Sequence, residues 1–132
     1  MFRIAICEDE KVVLDYESSL VKEWGEASIC KGAFELDTYV SSEQFIFESE
    51  DKAPYDVLIF DIQMKNMNGM ELAKKLRVRG CDAVIIFVTG VLDYAIEGYE
   101  VGAVRYILKP VKPEVLKDLL DAAFNERKKK AE

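Results

Sequence analysis

Two stretches of this chain, Val57 to Phe60 and Ala83 to Val88, are apolar without interruption, and Phe2 to Cys7 is nearly so; each gives way abruptly to polar residues. Unbroken runs of this length suit strands covered on both faces, as in parallel sheets flanked by helices. Val104 to Leu108 is a further short strand. Phe34 to Val40 sets Phe34, Leu36, Thr38 and Val40 against Glu35, Asp37 and Tyr39, which predicts a strand with one wetter face at the sheet edge beside the first strand. Between the strands the period changes. Val13, Tyr16, Leu20 and Trp24 form one stripe of a helix over Glu10 to Trp24, with Gly25 just past its end. Ser41 and Gln44 have the spacing of a capping box, opening a short helix that carries Phe45, Ile46 and Phe47. Asn66, Asn68 and Gly69 read as loop, Met70 to Arg79 as a third helix broken by Gly80, and Leu92, Ala95, Ile96 and Tyr99 as the stripe of a fourth closed by Gly102. Pro113 suits the first turn of a last helix in which Leu116, Leu119, Leu120 and Ala123 face inward. Five strands alternating with five helices, without repeat or linker, predict an α/β domain whose parallel sheet has right-handed crossovers and helices on both faces.

Composition narrows the class. A chain of 132 residues fits one domain and buries about two-thirds of its unfolded surface. No apolar run approaches membrane-spanning length, and Met1 leads directly into strand-like sequence, so the expected address is the cytosol, with no membrane partner. Cys7, Cys30 and Cys81 lack metal-ligand spacing and the chain has no histidine, which argues for reduced thiols rather than a zinc site. A formal charge of −7 disfavours nonspecific nucleic-acid binding by this segment. The one basic run, Arg127 to Lys130, ends the last helix, where cations interact favourably with the helix dipole.

The strand ends carry the chemistry. Glu8 and Asp9 follow the first strand, Asp61 ends the third, Thr89 the fourth and Lys109 the fifth. In an open parallel sheet these carboxyl ends converge on the crevice where ligands bind. Two carboxylates about 4 Å apart repel by about 4 kcal/mol at an effective dielectric of about 20, so three acids together call for a cation. Oxygen ligands without thiolate or imidazole point to Mg²⁺, which commonly shares its site with a phosphate. Lys109 balances charge on the other side and Thr89 offers a hydroxyl donor. An aspartate carboxylate can accept a phosphoryl group covalently, and Asp61 is placed for that role.

In this order and spacing, CEDE after the first strand, FDIQM, FVTG and YILKP resemble the receiver domain of a two-component response regulator over nearly the whole chain. The resemblance implies a flavodoxin-like (βα)5 fold with strand order 2-1-3-4-5, spanning residues 1–132 as one receiver domain. It further implies that Asp61 is the phosphoacceptor, that Glu8, Asp9, Asp61 and the backbone carbonyl of Gln63 hold Mg²⁺, that Thr89 and Lys109 contact the phosphoryl oxygens, and that Tyr106 is an aromatic switch. Such a domain is a signalling element rather than a turnover enzyme. It takes its phosphoryl group from a sensor histidine kinase, a separate chain because this one has no histidine, and loses it by self-catalysed hydrolysis.

The segment VTGVLDYAIEGYEVGAVRYILKPV is most similar to receivers of LytTR-type transcription regulators, implying an output domain beyond residue 132 through which DNA is bound. The receiver resemblance also implies that phosphorylation changes the face formed by the fourth predicted helix, the fifth strand and the last helix, through which a homodimer would form. Four positions depart from the commonest receiver pattern: Glu8 for aspartate, Lys65 for proline, Asn66 for glycine and Gly90 for alanine. Glu8 and Lys65 leave a pseudo-receiver that binds partners without phosphorylation as one alternative. A flavodoxin-like cofactor-binding protein is another, although acids stand where it would need a phosphate-cradling backbone.

Overall fold

The computed structural model describes residues 1–27, 33–90, 102 and 105–131. Its elements are β1 (Phe2–Cys7), α1 (Lys11–Ala27), β2 (Phe34–Tyr39), α2 (Ser42–Ser49), β3 (Val57–Asp61), α3 (Gly69–Val78), β4 (Val84–Thr89), β5 (Arg105–Leu108) and α4 (Pro113–Ala131). The five strands form one sheet in the order β2-β1-β3-β4-β5, and every neighbouring pair is parallel. The predicted helix over Leu92 to Tyr99, together with Cys30 and Val104, lies outside the described residues.

Because side chains alternate across a strand, the continuous apolar runs feed two cores. Phe2, Ile4, Ile6, Val57, Ile59, Val84, Ile86, Val88 and Ile107 point to one face and pack with Leu14, Val21 and Trp24 of α1 and Leu116, Leu120 and Ala123 of α4. Ala5, Cys7, Leu58, Phe60, Ile85 and Phe87 point to the other, against Phe45 of α2 and Met70, Leu72 and Ala73 of α3. The first core is locked by Trp24, whose ring lies 5.8 Å from that of Phe2 and whose Nε1 donates to Asp121 Oδ1 at 2.8 Å.

Several local expectations are corrected. The buried stripe of α1 is Leu14, Glu17, Ser18, Val21, Trp24 and Gly25 with Leu20, rotated from the predicted one. Polar Glu17 and Ser18 occupy core positions, so the apolar pattern misplaces the face. Tyr16 is 42% exposed and its hydroxyl donates to the Val111 carbonyl at 2.8 Å. Gly25 lies inside α1, where a Cβ would stand 2.3 Å from the Phe34 ring, so glycine here permits close helix-to-strand packing. In β2 the buried residue is Tyr39 rather than Thr38 or Val40, because its ring packs edge-on to Phe45 at 4.9 Å on the second core's side. Phe47 of α2 is 81% exposed, whereas Phe45 is buried. Ser41 caps α2 by accepting from the Gln44 N–H at 3.0 Å, but Gln44 Oε1 accepts from Val40 N rather than from the cap residue itself. In the basic run, Arg127 pairs with Asp56 at 3.2 Å and with Asp82 at 3.5 Å, so it also ties α4 to the segments that lead into β3 and β4.

Candidate functional site: an acid cluster and a lysine at the strand ends

The parity that builds the first core also builds the site. Glu8 continues the side-chain alternation of Ile4 and Ile6, Asp61 that of Val57 and Ile59, and Lys109 that of Ile107, so all three project toward the α1 and α4 side at the carboxyl edge. The ladder carries on past the strands: Glu8 N donates to the Tyr39 carbonyl at 3.0 Å and Lys109 N to the Thr89 carbonyl at 2.8 Å. Cys7 pairs with Phe60, so the next step of register sets Glu8 beside Asp61. Glu8 is wholly buried and Asp61 is 3% exposed.

One carboxylate oxygen from each of Glu8, Asp9 and Asp61 lies within 4.8 Å of the other two. Lys109 Nζ is 2.9 Å from Glu8 Oε1 and 3.3 Å from Asp61 Oδ1. The second Glu8 oxygen accepts from Glu10 N at 3.1 Å, and Asp9 accepts from Lys65 N at 3.3 Å. A proline at residue 65 would have no N–H to make that last bond. Burial, reinforced by the charge of Glu8 and opposed by Lys109, pushes the Asp61 carboxyl up to about 7. Cys7 lies in β1 beneath the acids, its Sγ 3.7 Å from Met64 Sδ; burial first, then the nearby acids, pushes its thiol up to about 12, so it is an inert core thiol. A cavity of about 550 Å³ lined by Phe45, Tyr55, Leu76 and Cys81 opens at the opposite, amino edge of the sheet, away from these groups.

The donor set fits Mg²⁺. All three side chains supply hard oxygens, and Asp61 Oδ1, buried without a hydrogen bond and met by the Lys109 ammonium at 3.3 Å, is the kind of oxygen a small oxophilic cation ligates. Gln63, whose carbonyl was the fourth ligand implied by resemblance, lies two residues past Asp61 in the exposed start of the loop.

That loop is shaped locally. Asn66 has φ +63°, a left-handed conformation that asparagine tolerates better than most residues, which accounts for its presence where glycine is frequent. α3 begins at Gly69, earlier than predicted, behind a reciprocal capping box: the Asn68 side chain accepts from Glu71 N and the Glu71 side chain from Asn68 N. Its sequence signal is asparagine followed three residues later by glutamate. A Cβ on Gly69 would stand 2.2 Å from the Asp61 carbonyl oxygen. Gly69→Ala is therefore expected to destabilise the domain by roughly 3 kcal/mol, the upper end of ordinary overpacking, because backbone must move. An unchanged urea midpoint would contradict this packing account.

Thr89 and Tyr106 take the opposite parity. Thr89 is wholly buried, and the partly buried Tyr106 packs with the second core, its ring 5.4 Å from Phe87. The structure thus gathers Glu8, Asp9, Asp61 and Lys109 into one cluster, while Thr89 and Tyr106 stand beside it on adjacent strands. Glu17, an acid buried on α1, lies outside the predicted stripe; its sequence signal is a polar residue at a position of the apolar helix period.

Fold and site together define a parallel α/β domain with a buried acid and an ion-paired lysine at the carboxyl edge. Comparison then places it: residues 4–121 match the response regulator receiver domain family, and the chain belongs to that family. It is 30% identical to a sensory transduction protein LytT of Oceanobacillus iheyensis over 86% of this chain and 44% of that protein. It is 31% identical to the transcriptional regulatory protein RprY of Bacteroides fragilis over 91% of this chain and 48% of that protein. This chain therefore spans about half the length of the curated relatives it matches. Among solved structures, a CheY-like receiver domain from Methanospirillum hungatei superposes with TM-score 0.81 at 26% identity, covering 98% of both chains. No helix among the described residues is long and apolar enough to cross a membrane.

Proposed function

We propose that this receiver domain is switched by phosphorylation of Asp61, with Glu8, Asp9, Asp61 and the Gln63 carbonyl holding Mg²⁺. The observation that carries the reading is the buried Asp61 oxygen without a hydrogen bond, set among two further carboxylates and 3.3 Å from a lysine. Mg²⁺ at such a site supplies charge neutralisation for an anionic transfer. A carboxylate oxygen of Asp61 attacks the phosphorus of a phosphohistidine on a partner kinase; the new O–P bond forms as the N–P bond breaks. The Lys109 ammonium and the Thr89 hydroxyl steady the transferring oxygens, a positioning and electrostatic task. Water later attacks the acyl phosphate and regenerates the carboxylate.

The response regulator protein TrrA from Thermotoga maritima, 25% identical with TM-score 0.76 over 93% of this chain, was solved in complex with Mg²⁺–BeF, the kind of complex this reading calls for. The deciding experiment is intact mass after incubation with acetyl phosphate and Mg²⁺: wild type gains one phosphoryl group. A wild type that gains none is the pseudo-receiver outcome.

The chain is the regulatory part of a longer cytoplasmic regulator whose output domain, of LytTR type, contacts DNA. Its match to under half of LytT supports this, and the open reading frame beyond residue 132 tests it. In the switch, a phosphoryl group draws the Thr89 hydroxyl inward and Tyr106 turns into the space released. A charge-assisted hydrogen bond contributes roughly 1.5–3 kcal/mol, enough to bring a minor state to dominance. Beryllofluoride with Mg²⁺ is therefore expected to shift amide resonances from Thr89 to Lys109 more than those of α2, and to promote dimerisation through a face that includes β5 and α4. Shifts confined to the immediate neighbours of Asp61 would refute the switch while leaving the phosphoacceptor standing.

A further inference from the structure

The buried face of α2 consists of Ser42 and Phe45, three residues apart and so neighbours on the helix surface. Phe45 is the anchor. Its ring centroid lies 4.9 Å from that of Tyr39, 6.0 Å from that of Tyr55 and 5.4 Å from that of Phe60, which fixes the helix on the second core. Ser42 is wholly buried as well, at a position an alanine would fill without a polar group to satisfy, and its hydroxyl donates to the Met67 carbonyl at 2.9 Å. One residue on, Glu43 Oε2 accepts from Met67 N at 3.3 Å. The first turn of α2 therefore holds Met67 by both of its backbone groups.

Met67 belongs to the loop that joins Asp61 to α3. Gln63, Lys65 and Asn66 of that loop are exposed, so core packing does not set their path and backbone hydrogen bonds must. Two residues before Met67, Lys65 N donates to Asp9 Oδ2 at 3.3 Å, and Asn66 between them turns the chain at φ +63°. Ser42, Met67, Lys65 and Asp9 thus form one chain of contacts, running from a helix outside the acid cluster to one of its carboxylates. Placement of that kind matters most for Mg²⁺, which demands near-octahedral oxygens at about 2.1 Å, and least for Ca²⁺, which accepts about six to eight oxygens in flexible arrangements.

We propose that Ser42, supported by Glu43, is a positioning residue for the acid cluster: by holding Met67 it fixes the loop that carries Gln63 and directs the Asp9 carboxylate, and so sets how well the cluster suits Mg²⁺ relative to Ca²⁺. The inference rests on the reading of Glu8, Asp9 and Asp61 as a divalent-cation site. Neither Ser42 nor Glu43 is a ligand. Removing the Ser42 hydroxyl takes the donor from the Met67 carbonyl and lets Lys65 N–H drift from Asp9, while all three acids remain for a larger and less demanding ion.

The test is calorimetric titration of Mg²⁺ and of Ca²⁺ into wild type, Ser42→Ala, Glu43→Ala and Glu43→Gln, with urea unfolding in chelator and amide exchange at Lys65 alongside. Ser42→Ala is expected to lose about tenfold in Mg²⁺ affinity, the lower end of the usual cost of removing an outer support of a metal ligand, and less than about threefold in Ca²⁺ affinity. Exchange at Lys65 N–H is expected to quicken with it. Glu43→Ala is expected to lower the ratio of Mg²⁺ to Ca²⁺ affinity by about threefold, the effect of one weak hydrogen bond. Glu43→Gln, which keeps an acceptor for Met67 N while removing the charge, is expected to keep the wild-type ratio. A merely structural Ser42 would move the urea midpoint and leave the ratio unchanged; that result, or equal losses for the two ions, would overturn the proposal. If Ser42→Ala does not fold, the exposed Glu43 decides: a ratio lowered in Glu43→Ala and kept in Glu43→Gln supports the proposal, and any other pattern overturns it. Wild type that binds neither ion removes the cation reading itself, and this inference with it.

Discussion

Asp61→Asn is expected to abolish phosphoryl uptake completely, and wild type in excess chelator is expected to behave the same way. The two losses have different causes. The asparagine variant keeps the size of the side chain but replaces the anionic oxygens with one weakly nucleophilic carbonyl oxygen and an amide that donates. Set 3.3 Å from the Lys109 ammonium, an amide nitrogen would also be met by a cation where an anion stood. In chelator the side chain is unchanged, but its carboxyl, raised to about 7 by burial and Glu8, is partly protonated, and the acid cluster faces an incoming phosphoryl dianion with Lys109 beside it. Lys109→Ala separates the roles: on the proposed assignment it removes a phosphoryl contact and no metal ligand, so Mg²⁺ binding is expected to persist while transfer slows about 10²- to 10³-fold, the usual cost of one preorganised donor. Intact mass over time, with acetyl phosphate as donor, reads all three. Unchanged uptake in chelator would sink the metal requirement, and loss of Mg²⁺ binding in Lys109→Ala would show that its role has been misassigned.

In chelator, the domain is expected to lose stability as the pH rises from 6 to 8, by on the order of 3 kcal/mol. Two acids set the sign. Asp61 is raised from 3.8 to about 7 and Glu17 from 4.5 to about 8, in both cases first by burial. Each binds its proton more tightly folded than unfolded. Their contribution is fully present below their unfolded values of about 4, falls as the pH rises, and is gone above the folded values. Asp37 acts in the opposite sense, its carboxyl held below its usual value by the Tyr55 hydroxyl and Lys52 against a desolvation penalty, so it favours the fold once ionised and sets the acid limb. Mg²⁺ at about 100 times its dissociation constant adds about 2.7 kcal/mol through binding the native state alone, which offsets most of the alkaline loss. Urea midpoints at pH 6, 7 and 8, with and without Mg²⁺, check this. A chelator curve that is flat or rises over that range would refute the burial of neutral acids at the site.

Much of this protein could be read in the chain because a parallel sheet writes itself plainly. Val57 to Phe60 and Ala83 to Val88 must be apolar on both sides to be covered on both faces, and a polar residue at the end of such a run has nowhere to lie but the sheet edge. That is why Glu8, Asp9, Asp61 and Lys109 could be named beforehand. The strand order was implied by resemblance, since alternation alone calls for a parallel sheet without saying which strands are neighbours.

What the sequence by itself determined, then, was the alternation of elements, the two-sided core and which side chains stand at the carboxyl edge, all of them consequences of local period and chain direction. What only the tertiary structure decided was set by neighbours distant in sequence. Tyr39 is buried because Phe45 covers it, and Gly25 stays inside α1 because the Phe34 ring leaves no room for a Cβ. Glu8 is engaged on both oxygens because Lys109, far along the chain, comes to lie 2.9 Å away. Glu17 shows the division most clearly: a helical period reads a glutamate as the solvent face, and only the packing of α1 against the strand ends turns it into a buried acid behind the site.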